Sequence, residues 1–68
     1  MKLIEIIETE NYKQIKLQHT FLWKKYTNTY RKIGNNIFEY TPKNYYNHLG
    51  VCSHFEIAPY FEIKEIEV

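Results

Sequence analysis

His48, Cys52 and His54 are the residues of this chain whose types and spacing could do chemistry. His-x3-Cys-x-His offers up to three donors of the kind that bind zinc. The usual paired Cys-x2-Cys spacing is absent. His19 could be a distant fourth ligand, but no local pattern brings it near. If residues 51–57 form a strand, Cys52 and His54 share a face, while His48 belongs to the preceding element. The plainer reading is a small buried cysteine with two hydrogen-bonded or exposed histidines. A zinc-binding protein using His48, Cys52 and His54 is therefore the remote alternative, and no metal or cofactor is expected.

The same residues could form a Cys–His nucleophile pair, which needs a stabilised thiolate. Cys52 follows the C-terminal end of a predicted helix, where the dipole disfavours an anion. The chain contains no aspartate, and its only glycines are Gly34 and Gly50, so no phosphate-cradling loop exists. Its glutamates cluster near the termini, where lysine partners are at hand. The chain is expected not to be an enzyme.

Charge is the stronger functional signal. The net charge is only +1, but it is segregated. Residues 11–50 hold Lys13, Lys16, Lys24, Lys25, Arg31, Lys32 and Lys43 against a single Glu39. The first ten residues and the last eighteen are acidic. The basic stretch also holds six of the seven tyrosines and Trp23. Rings can fill a small core, or present contact area with a polar tip. Acidic end strands pairing with basic central strands would absorb part of the surplus. Trp23, Lys24, Lys25, Tyr26, Tyr30, Arg31 and Lys32 are left as the candidate partner-binding residues. On a strand, Lys24, Tyr26, Tyr30 and Lys32 would share one face, with Trp23, Lys25 and Arg31 on the other.

Two partner classes fit such a surface. The favoured one is a larger protein. The chain then reads as a small non-catalytic regulator or inhibitor covering a site on it. AT-rich codon usage (much Lys, Ile, Asn, Tyr and Glu) suits a phage-encoded inhibitor of a host enzyme or defence system. The alternative is a nucleic-acid-binding domain using Lys/Arg for phosphates and Tyr/Trp for stacking. One arginine and a pI near 7.8 weigh against it.

The elements that must position these residues read mainly as strands. Residues 2–9 and 12–18 alternate, with Glu10-Asn11 as a two-residue loop between them. That register sets Ile6 opposite Ile15, Ile4 opposite Leu17, Glu8 opposite Lys13 and Glu5 opposite Lys16. Asn11 suits a turn with positive φ, whereas Glu10 does not. Within 19–33, Leu22, Tyr26, Tyr30 and Ile33 fit a helical stripe. The run Tyr26-Thr27-Asn28-Thr29-Tyr30 favours strand instead, and strand is preferred. Gly34-Asn35-Asn36 is a turn, and an Asn35-Asn36 loop would pair Ile33 with Phe38 and Lys32 with Glu39.

Thr41-Pro42 and Gly50 frame a short helix within about 42–49, with Thr41 as its cap. Residues 51–57 and 60–68 read as closing strands joined at Pro59. The expectation is a mostly β (α+β) fold over a single small domain, residues 1–68. Its sheet would be antiparallel and barrel-like, of about five or six strands with one short helix. Curling would remove exposed edges. A chain this short folds alone only marginally, so homo-oligomerisation fits. One cysteine, no basic-then-apolar leader and no apolar run long enough to span a bilayer point to a cytoplasmic protein without a membrane partner.

Overall fold

The computed structural model describes residues 1–40 and 47–66. Among them is one antiparallel sheet of five strands in sequence order. The strands are β1 (Lys2–Glu8), β2 (Lys13–Phe21), β3 (Lys24–Ile33), β4 (Asn36–Tyr40) and β5 (Asn47–Val51). Two short 3-10 turns follow, Cys52–His54 and Ala58–Glu62. The fold is mostly β, as the alternation predicts. The sheet stays open, with β1 and β5 as its edges, rather than closing into a barrel.

The first hairpin has much of the predicted register. Ile6 faces Ile15, Glu5 faces Lys16 and Glu8 faces Lys13. The Glu5 and Lys16 side chains form a salt bridge of 3.0 Å. The Lys13 ammonium instead donates to the Ile63 carbonyl at 2.7 Å, tying β2 to the C-terminal segment. One predicted pair is corrected. A register shift between Leu3 and Glu5 puts Leu3, not Ile4, opposite Leu17. The irregularity lets residues three apart, Leu3 and Ile6, both join the core side, which strict alternation forbids. Ile4 is left exposed.

The β3–β4 turn also differs from expectation. It is centred on Gly34-Asn35, so Ile33 pairs with Asn36 and Lys32 with Ile37. Gly34 has φ +59 and Asn35 does not have positive φ, the signs of a type II′ turn with glycine first. An Asn35-Asn36 turn would have left that permissive residue in the strand. The partner numbers change by two, so every residue keeps its predicted face.

Gly50 does not end a helix. Residues 47–51 form β5, which pairs Gly50 with Ile37 and His48 with Phe38. Thr41 and the start of the expected helix lie outside the described residues. Pairing with the open edge of β4 satisfies a whole row of backbone groups, and this outweighs a two-turn helix that is weak alone. Gly50 is needed for another reason: its φ is +143, and a Cβ there would meet the Phe55 ring at 3.4 Å.

The expected closing strands are corrected too. Beyond Val51 the backbone coils through bonds spanning three residues: Phe55 to Cys52, Ala58 to Phe55, Tyr60 to Ile57 and Ile63 to Tyr60. Of this segment Cys52, Ile57 and Phe61 are buried, with Phe55, Ala58 and Tyr60 partly buried beside them. The core consists of Leu3, Ile15, Leu17, Tyr30 and Ile37 from one sheet face and Cys52, Ile57 and Phe61 from the segment. Phe-Glu-Ile occurs twice because it serves this coil, not two strands.

Candidate functional site

β2 and β3 outrun their neighbours. β1 begins opposite Gln18, and β4 ends opposite Thr29. Residues 19–21 and 24–28 therefore pair only across their own hairpin among the described residues. Thr20 faces Lys25, His19 faces Tyr26 and Phe21 faces Lys24. The segment is a two-stranded arm projecting from the sheet. A two-stranded ribbon is marginal in water. Here its root is anchored in a sheet with a buried face, and its shaft carries a stacked pair. The His19 and Tyr26 rings lie 5.7 Å apart with 26° between their planes.

The tip of the arm is Leu22-Trp23. Leu22 has φ 49 and Trp23 has φ 67, the only non-glycine residues with positive φ among those described. Two successive positive φ values match the hairpin turn that normally takes Asn-Gly. Residues with a large Cβ substituent cost roughly 1–2 kcal/mol each there. Neither side chain recovers that cost by packing. Trp23 is 95% exposed, Leu22 72% and Phe21 63%. Lys24 and Lys25 follow directly, both exposed.

The structure thus divides the seven candidate residues. Trp23, Lys24, Lys25 and Tyr26 come together on the arm. Tyr30 does not join them: it is a core residue, 8% exposed, opposite Ile15. Its hydroxyl accepts a hydrogen bond from Asn28 Nδ2 at 3.2 Å. Burial pushes its phenol above the ordinary value of 10.0; the Asn28 bond opposes that rise, and Glu39 adds to it. Arg31 is on the other face. Its Nε and Nη2 donate to Gln14 Oε1 at 3.0 and 2.8 Å, and its guanidinium lies 3.8 Å over the Tyr12 ring. Lys32 shares a face with Lys24 but sits at the far end of β3. The eight intervening steps put them about 27 Å apart. They cannot form one patch.

Phe21 and Leu22 also belong to the tip, outside the seven candidates. The signal was available in the run Phe21-Leu22-Trp23, which breaks the alternation. It was silent as a turn signal because neither Leu nor Trp is a turn former.

His48, Cys52 and His54 are not gathered either. His48 Nε2 is 3.1 Å from Asn36 Oδ1, and its ring lies 5.1 Å from that of Phe38. Cys52 is in the core. Among the described residues no three His, Cys, Asp or Glu side chains are placed to hold one metal ion. Nor is any helix there long and apolar enough to cross a membrane.

The chain matches no protein-family model, no curated protein and no solved structure. The arm is therefore judged on its own chemistry. It offers three exposed apolar side chains at its end and two lysines behind them.

Proposed function

We propose that this chain is a non-catalytic binding protein of the regulator or inhibitor type, and that the tip of the β2–β3 arm is its anchor on a partner protein. The observation carrying this reading is Leu22-Trp23, both held at positive φ and both exposed, Trp23 almost fully. Strained backbone and exposed rings both oppose stability, and such features concentrate where a contact repays them. Trp is also among the residues most often dominant in protein interfaces. Lys24 and Lys25 would meet an acidic rim around an apolar pocket.

The nucleic-acid reading has less to work with. Arg31 is held by Gln14 and Tyr12, Lys16 by Glu5, and Lys13 by Ile63. The arm's own two lysines would neutralise too few phosphates for firm binding, and Lys32 lies about 27 Å from Lys24.

The test is photo-crosslinking from position 23 in a lysate, with and without nuclease, beside capture by the Leu22→Asn/Trp23→Gly variant. The expected result is a crosslinked protein that survives nuclease and is not captured by the variant. Loss of the crosslink on nuclease treatment, or undiminished capture by the variant, would overturn the reading.

A further inference from the structure

The side of the arm that continues the core face carries His19, Phe21, Lys24 and Tyr26. The C-terminal segment covers this face over Ile15, Leu17 and Ile37, but Phe21 and Tyr26 remain exposed. At the root of the arm lies an open hollow of about 360 Å³, lined by Lys2, Leu3, Ile63, Glu65 and Ile66. Three of its five lining residues are aliphatic. Lys2 is the cross-strand neighbour of Gln18, where the arm leaves the sheet. From Gln18 to Leu22 the strand rises by roughly 14 Å. A tip at the end of a paired ladder cannot fold back that distance into its own hollow.

We infer that the surface receiving the tip is this same hollow on a second copy of the chain. The inference rests on the reading of the arm as a docking element and names its partner. Two arms laid antiparallel about a two-fold axis place each tip at the other's root, so one geometry fills both hollows. The same arrangement brings the two exposed Phe21–Tyr26 sides together. Charge agrees with it. Residues 19–28 hold Lys24 and Lys25 and no acid, while residues 52–66 hold Glu56, Glu62 and Glu65 against Lys64. Glu65 lines the hollow itself, together with Lys2. A small open sheet also gains from a partner that covers what its own short chain leaves bare.

Trp23 is the chain's one tryptophan, so its emission reports the tip alone. Sedimentation and emission are followed together from about 1 µM to about 1 mM protein. A monomer–dimer equilibrium is expected, with a blue shift rising in step with the dimer. Trp23→Ala should weaken association by about tenfold or more, as loss of an interface anchor does. Glu65→Lys should weaken it, and so should Lys24→Glu/Lys25→Glu. Combining these three changes in one chain should restore it, which a merely unfolded variant could not do.

Three results would overturn the inference: a monomer throughout the range, a dimer indifferent to Trp23→Ala, or a blue shift produced by added anionic vesicles and not by protein concentration. A monomer whose position 23 still crosslinks a different protein ends the second-copy inference and leaves the docking reading standing. A monomer with no tip-dependent crosslink ends both.

Discussion

The turn at Thr9–Tyr12 and the turn at Phe21–Lys24 close successive hairpins of one sheet, yet only the first is made of residues that suit it. At the first, the Thr9 amide donates to the Tyr12 carbonyl at 2.9 Å. The Thr9 hydroxyl oxygen accepts from the amides of Asn11 and Tyr12, each at 3.2 Å. Neither Glu10 nor Asn11 has positive φ, which removes the objection to Glu10 in a two-residue loop. At the second, Leu22 and Trp23 adopt a conformation better served by Asn and Gly, and their side chains touch little. Local chemistry accounts for the first turn. It does not account for the second, where exposure of the side chains is the common feature. The contrast extends along β2, which is buried at Ile15 and Leu17 and bare at Phe21. One strand serves both the core and the arm.

That contrast can be tested in order of size. The largest difference should lie within β2. Ile15→Ala removes a fully buried side chain and should cost about 2–5 kcal/mol. Phe21→Ala, for all its lost ring, should change stability by no more than about 0.5 kcal/mol at protein concentrations where the chain is monomeric. Urea unfolding of both variants measures the gap, and similar losses would mean that the arm is part of the folded core.

Next in size is the tip. Leu22→Asn/Trp23→Gly should raise stability by about 1–3 kcal/mol, because both residues then suit positive φ. A rise in the urea midpoint at unchanged slope is the expected readout. A fall would show that Leu22 and Trp23 support the fold after all. The smallest effect belongs to the first turn. Thr9→Ala removes the acceptor for two amides that water can also reach, at a cost of about 0.5–1.5 kcal/mol by thermal or urea unfolding. No measurable loss would leave the first turn no better served by its side chains than the second.

The first hairpin was legible because its evidence is local. Ile6 with Ile15 and Glu5 with Lys16 are close in sequence, and apolar and charge pairing agree on one register. The arm was half legible. The Lys-Tyr-Thr composition of 24–29 marks a strand, but Leu22-Trp23 hides the turn that splits the segment in two. Tyr30 could not be told from Tyr26 by type. Both alternate on the same face, and only the reach of the C-terminal segment buries one and leaves the other bare.

The sequence by itself determined that the chain is mostly antiparallel β, which faces the residues of β2, β3 and β4 take, and that basic and aromatic residues crowd its middle. The tertiary structure alone decided that the sheet stays open, that residues 47–51 extend and that the tail coils instead of pairing. Alternation is a property of each strand, written into neighbouring residues. Closure, coverage and protrusion depend on which segments meet across the fold. Residues 47–51 were drawn into the sheet by the unpaired edge of β4. The coil beyond them lets Cys52, Ile57 and Phe61 seal the core face. Where that cover ends, the same alternating pattern that makes a core leaves an exposed arm.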